Sequence, residues 1–324
     1  MTYIPKFKGD FKMKKIWTIA IVLIMAMFLG ACSLDAPGSD NEASKSGGDG
    51  EASEEKKIGF SISTLNNPFF VTLAEGAEAR AAELGMEITV VDAQDDPAKQ
   101  ASDIEDLIQQ GVSLILVNPT DSAAVATAIE SANNANIPVI TVDRSADSGE
   151  VVAHIASDNV EGGRMAGNFI IEQLGDAGSV VELEGISGSS AARERGQGFN
   201  EVIDGSSIEI VANQTANFDR AEGLNVMENI IQSGAEFNAV FAHNDEMALG
   251  AKEALAAAGM NDILVVGFDA TDDAVAAVEK GEMAATVAQK PNEIGVSAVD
   301  TAQAVLNGDS VEAFVPVQLE LVTK

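Results

Sequence analysis

Residues Lys57–Asp92, KIGFSISTLNNPFFVTLAEGAEARAAELGMEITVVD, decide how the fold is read. An apolar run, KIGFSI, passes through a polar junction into an alanine-rich segment that stops at Gly85, and a β-branched run, EITVVD, follows. Strand, glycine-terminated helix and strand together describe a βαβ unit. The junction itself poses a problem. Phe69 and Phe70 stand side by side behind Asn66, Asn67 and Pro68. Neighbours on a helix point about 100° apart, so both rings cannot share one core-facing stripe.

The same rhythm continues outward. SLILVN and IPVITVD read as strands, with PAKQASDIEDLIQQG and SAAVATAIESANNAN as the helices around them. The second half repeats it, with strands GSVVELEG, SIEIVAN, NAVFAHN, DILVVGFD and MAATVAQ. Its helices are SAARERGQGFNEVID, DRAEGLNVMENIIQSG and DEMALGAKEALAAAG. Near-continuous apolar strands joined by helices indicate parallel sheets covered on both faces. The 324 residues exceed what one hydrophobic core usually serves. The expected fold class is therefore α/β, with two doubly wound parallel-sheet domains of similar size. Ligands of such sheets bind outside the carboxyl ends of the strands, and two domains offer a cleft between them.

Hydrophobic content is 46% and the net charge is −32. The first 31 residues carry five lysines against Asp10, so the remainder carries −36. No basic footprint is present to release counterions, which argues against nucleic acid as a partner. The acidity reads as a solvated surface, with an acidic docking surface as the alternative. Cys32 is the only cysteine and the two histidines, His154 and His243, lie far apart in sequence, so neither an internal disulfide nor a zinc site is expected. No other metal or cofactor is expected.

MKKIWTIAIVLIMAMFLGAC, Met13–Cys32, has a basic start at Lys14 and Lys15 and an apolar run of 14 residues, Ile16–Leu29. A membrane span needs roughly 20, so residues 1–31 are expected to be a signal peptide. Met13 offers an alternative start to Met1. LGAC resembles the lipobox of bacterial lipoproteins, in which the cysteine receives the lipid. An uncleaved anchor is the alternative. Residues 32–56 are rich in Gly, Ser, Asp and Glu and read as a flexible acidic tether. The expected location is extracytoplasmic, anchored through Cys32 to the outer face of the cell membrane.

The predicted strand ends collect polar and aromatic side chains. They are Asn67, Phe69, Phe70, Asn118, Asp143 and Arg144 in the first half, and Arg195, Phe218, Asn244, Asp269 and Gln289 in the second. Each has a plain alternative: Asn or Asp before a helix is often an N-cap, and Asp143 with Arg144 reads as a surface ion pair. As a set they balance two carboxylates against two guanidiniums and add amides that both donate and accept. Such a site suits a neutral, hydroxyl-rich ligand, and the phenylalanines supply flat faces for a sugar ring. Two rings that cannot share the core can both face a cleft.

STLNNPFF, NPTDS, NIPVITVDR, HIASDN, SAARERG, FDR, NDEMALGA, VVGFD and ATVAQ closely resemble the periplasmic ribose-binding proteins, receptors of ribose ABC transporters. The similarity runs from about Lys57 to Lys324. The resemblance implies that D-ribose is held by all eleven residues above, with the phenylalanines stacked on the sugar. It implies three hinge crossings, near Ser157–Asp158, Gln289–Lys290 and Gln318–Leu319. The lobes would then be 57–157 with 290–318, and 158–289 with 319–324. It also implies an ABC membrane permease as partner and a monomeric protein, and leaves open whether a chemoreceptor reads the closed form. His243 departs from the pattern, where glutamine is expected, and reads as a surface or supporting residue. Glucose and galactose receptors stack a tryptophan on the sugar, whereas Trp17, in the signal segment, is the only one here.

Three other readings compete. A sugar-active enzyme would need a phosphate loop or a nucleophile–base pair. GISGSSAARERG lacks the Lys of a P-loop, and Ser187, Ser189 and Ser190 have no evident histidine partner. Asp143 and Asp269 as a glycosidase pair would require one protonated acid, whereas flanking arginines are expected to keep both ionised. A regulator would carry a DNA-binding segment where the signal and tether stand. The third reading keeps the class and changes the ligand to allose, xylose or a furanone signal such as autoinducer-2.

Overall fold

The computed structural model describes residues 56–175 and 177–324. The expected signal peptide, Cys32 and nearly all of the tether lie outside the described residues. The rest forms two six-stranded sheets, each flanked by helices.

The opening stretch behaves as its pattern requires. β1 (Lys57–Ile62) is buried because parallel neighbours flank it, β2 (Glu87–Asp92) on one side and β3 (Leu114–Val117) on the other. α1 (Pro68–Leu84) starts where Asn67 accepts the Phe69 N–H and proline needs no donor, and it stops at Gly85 with φ 66°. α2 (Pro97–Gln109), α3 (Ala126–Asn134), β4 (Val139–Val142) and β5 (Ala153–Ser157) complete the first run. The second run is α4 (Asn159–Leu174), β6 (Gly178–Glu184), α5 (Ser190–Ile203), β7 (Ile208–Thr215), α6 (Arg220–Gln232) and β8 (Ala239–Ala242). It continues through α7 (Asp245–Ala257), β9 (Leu264–Asp269), α8 (Asp272–Lys280) and β10 (Ala285–Ala288). α9 (Pro291–Asn307), β11 (Phe314–Val317) and β12 (Glu320–Thr323) end the chain.

The strand orders are β2-β1-β3-β4-β5-β11 and β7-β6-β8-β9-β10-β12, the same winding twice. The last strands differ: β11 runs parallel to β5, whereas β12 runs antiparallel to β10. The chain leaves the first sheet after Ser157, returns after Ala288 through α9, which packs on the first sheet's core, and crosses again between Val317 and Glu320. Each sheet has an apolar cluster on both faces, as parallel sheets require.

Three strands escape the pattern reading. β5 carries His154, and β11 is a half-exposed edge interrupted by Pro316. Neither β11 nor β12 is a continuous apolar run, because an edge strand has one free side. The third predicted helix also starts four residues late. Asp121 takes the N–H groups of Ala123 and Ala124 in a separate turn, and Ser122 N–H donates across to Gly188 of the second lobe at 2.9 Å.

Candidate functional site

Where the carboxyl ends of the two sheets face each other, a small cavity opens. Its walls are Asn67, Phe69, Phe70, Asp143, Arg144, Ala191, Arg195, Phe218, Asn244, Asp269 and Gln289. Ten of the eleven residues singled out from sequence meet there. The eleventh, Asn118, sits behind the wall: it accepts the Ser63 N–H, and donates to Val142 O at 2.9 Å and Asp143 Oδ2 at 3.4 Å. Ala191 gave no chemical signal in sequence; only its place at the start of α5 brings it to the wall.

The first lobe contributes from two strand ends. Phe69 and Phe70 meet edge to face with centroids 5.1 Å apart; both line the cavity, and both also reach the core, which corrects the expectation that they could not share it. Asn67 does two jobs: its oxygen caps α1 while its side chain faces the cavity, so the N-cap and binding readings are both compatible with it. At the end of β4, Asp143 has φ 63° and Arg144 follows it. Both are buried, so the surface ion-pair reading is corrected; the Arg144 Nε to Asp143 Oδ2 distance is 3.9 Å. The Arg144 guanidinium lies over the rings of Phe70 and Phe218, at 4.9 and 5.2 Å.

The second lobe contributes from five segments. Arg195 on α5 lies 3.8 Å over the Phe268 ring, donates to Asn159 Oδ1 at 2.9 Å and to the His243 carbonyl, and stands 3.8 Å from Asp269 Oδ1. Phe218, at φ 62°, fits because Gly185 lacks a Cβ, which would fall 2.1 Å from the ring. Asn244 caps α7 through the Met247 N–H and donates to Phe218 O. Gln289 donates to Asp269 Oδ1 at 2.9 Å.

His243 is fully buried, which excludes the surface reading. Its Nδ1 accepts the Gly185 N–H at 3.4 Å, so Nε2 carries the proton toward Glu182 Oε1 at 3.0 Å. Glu182 also accepts from Asn200 and Asn213, and the network fixes the backbone whose carbonyl receives Arg195. A charged residue inside the apolar run VVELEG was the one available sequence hint of it.

The electrostatics of the cavity set burial against the arginines. Burial raises Asp143, outweighing Arg144 and Arg195, and holds Asp269 well above the usual carboxylate range against the pull of Arg195. Burial and the neighbouring arginines therefore pull both carboxyls in opposite directions. The same burial lowers Arg144 and Arg195. Asp143 Oδ1 and Gln289 Oε1 are buried acceptors without a hydrogen-bond partner among the described residues, and such atoms are uncommon in folded proteins. No group of three or more His, Cys, Asp or Glu among the described residues is arranged to hold a metal ion.

Residues 58–310 match the periplasmic binding protein domain, and the chain belongs to that family. The ribose import binding protein of Bacillus subtilis is 49% identical to it, over 96% of this chain and all of that one. The ribose import binding protein of Haemophilus influenzae is 53% identical over 84% of this chain and 93% of its own. Among solved structures, a Bacillus halodurans ABC transporter solute-binding protein with bound myo-inositol superposes with a TM-score of 0.80 at 35% identity, covering 83% of this chain and 94% of that one. The binding protein of a Shewanella arabinose transporter, bound to L-arabinofuranose, gives 0.79 at 33% identity, covering 83% and 92%.

Proposed function

We propose that this protein captures D-ribose between its two lobes and delivers it to an ABC import permease, without catalysing a reaction. The observation that carries the reading is one cavity, walled by both lobes, in which two aspartates, two arginines and three amides surround three phenylalanine rings. Paired opposite charges suit a neutral ligand, and the partnerless acceptors Asp143 Oδ1 and Gln289 Oε1 match sugar hydroxyl donors. The ribose relatives at about half identity support the choice of sugar. Asn67, Phe69, Phe70, Asp143, Arg144, Arg195, Phe218, Asn244, Asp269 and Gln289 are the proposed contacts, and Asn118 acts through Asp143.

Ligand contacts in both lobes favour the closed form, and that differential affinity moves the hinge. The proposed lobes are 57–157 with 290–318 and 158–289 with 319–324, and the protein works as a monomer. Residues 1–31 are removed as a signal and Cys32 carries the lipid. Cys32→Ser should then release the protein into the medium or leave it unprocessed. A membrane-bound mutant that migrates like wild type contradicts the anchor.

A calorimetric and thermal-shift panel of pentoses, hexoses and phosphosugars tests the ligand. One site per chain for ribose is expected; tight binding of a phosphosugar or an amino acid, with none of ribose, would falsify the reading. Small-angle scattering should show a smaller radius of gyration with saturating ribose, and an unchanged radius in a protein that binds it contradicts the hinge.

A further inference from the structure

Strand β9 ends in a bend that L-residues rarely hold, with φ 119° at Asp269 and 55° at Ala270. Of the two backbone N–H groups that follow Asp269 into the bend, one reaches Asp245 directly and the other reaches it through the Thr286 hydroxyl. Thr271 N–H donates to Asp245 Oδ2 at 2.8 Å, and the Thr271 hydroxyl reaches the same oxygen at 3.2 Å. Thr286 Oγ1 donates to Asp245 Oδ1 at 2.7 Å and accepts the Ala270 N–H at 3.2 Å. Asp245 is fully buried, and space for it exists because residue 267 is glycine: a Cβ there would fall 2.2 Å from Oδ1.

An acidic residue in the first turn of a helix ordinarily serves the helix dipole. Here Asn244 already caps α7. Both Asp245 oxygens point instead at the β9 bend and its support on β10. A carboxylate can accept all three bonds on its two oxygens, whereas an amide of the same shape has one acceptor oxygen and puts an NH2 donor where the other accepts.

We propose that Asp245 is a positioning residue for sugar recognition: it fastens the left-handed bend that aims the Asp269 carboxylate into the cavity, and so sets affinity without touching the ligand. This rests on the reading of Asp269 as a sugar-binding group.

The test is a double-mutant cycle, with D-ribose titrated into wild type, Asp245→Asn, Asp269→Asn and the double variant, using competition titration for weak binders. Loss of the hydrogen bonds that hold a ligand contact in place should weaken ribose binding by about tenfold or more in Asp245→Asn. Within Asp269→Asn the same change should cost less than about twofold, because the contact it positions is already gone. A purely structural role gives equal factors in both backgrounds and overturns the proposal, as does an Asp245→Asn protein with wild-type affinity. An Asp269→Asn protein that binds ribose like wild type refutes instead the reading of Asp269, and the inference falls with it. Thr286→Val covers the case in which Asp245→Asn does not fold: binding several-fold weaker than wild type is expected, and wild-type affinity overturns the proposal.

Discussion

The two lobes reach the same charged pair by different routes. In the first, Asp143 and Arg144 are neighbours in sequence and stand 3.9 Å apart. In the second, Asp269 at the end of β9 meets Arg195 from α5 at 3.8 Å. Each aspartate closes a strand at positive φ, and the two guanidiniums flank the same Phe218 ring at 5.2 and 5.8 Å. The supports behind the walls differ as well. The first lobe uses a neutral amide: Gln100 accepts from Thr120 N–H and hydroxyl and donates to Asn118 O. The second uses the carboxylates Asp245 and Glu182. One winding can therefore carry equivalent walls on a neutral or an ionisable foundation, and the second foundation adds the titration of Asp245.

The largest effect that tests this equivalence is on ligand affinity. Truncating one member of a buried charge pair costs about 2–5 kcal/mol, so Asp143→Ala and Asp269→Ala should each weaken ribose binding by about 30-fold or more. Calorimetry on both decides it; near-wild-type affinity in either variant breaks the comparison between lobes.

The charged foundation predicts a pH effect on the ligand-free protein. Burial pushes Asp245 up to about 7, against the hydrogen bonds from Thr286 and Thr271. An unfolded aspartate titrates at about 3.9. Below that value both states hold the proton. Between about 3.9 and 7 only the folded state holds it, so the stability it contributes is lost as pH rises through that window. Asp143 and Asp269 shift in the same direction. Asp245→Asn should therefore show a flatter stability–pH curve across the window, by an amount on the order of a few kcal/mol. Denaturant melts with parallel slopes for wild type and variant would refute it.

Helix packing gives a smaller, matched pair of tests. A Cβ at Gly295 on α9 would fall 2.2 Å from Leu73 O on α1, and one at Gly163 on α4 would fall 2.1 Å from Arg195 O on α5. Overpacking costs about 1–3 kcal/mol, so Gly295→Ala and Gly163→Ala should lower stability comparably. Gly163→Ala should in addition weaken ribose binding, because it displaces the helix that carries Arg195. Equal affinities in the two variants would break that asymmetry.

The smallest effect expected is at the shared ring. Aromatic contacts are worth about 0.5–1.5 kcal/mol beyond area, so Phe218→Leu should weaken ribose binding by roughly 2- to 12-fold. Unchanged affinity would show that the ring serves only to brace the arginines.

The chain's own pattern was enough for the double winding, because fully buried parallel strands must be apolar runs and the helices between them stop at glycine or asparagine. It was enough to gather ten cavity residues as well, since side chains at strand ends in this fold face one edge and keep recognisable types. It was not enough for Asn118, whose amide is spent on Ser63, Val142 and Asp143, nor for Ala191, whose side chain carries no chemistry. Strands β11 and β12 were silent because an edge has a free side and needs no apolar run. Only the tertiary structure could bring Arg195 to Asp269, Glu182 to His243 and Asp245 to the bend at Ala270, and only it could bury Asp143 and Asp269 deeply enough for desolvation to outweigh their arginines. Desolvation and non-local hydrogen bonds depend on which surfaces meet, and sequence spacing does not encode that distance.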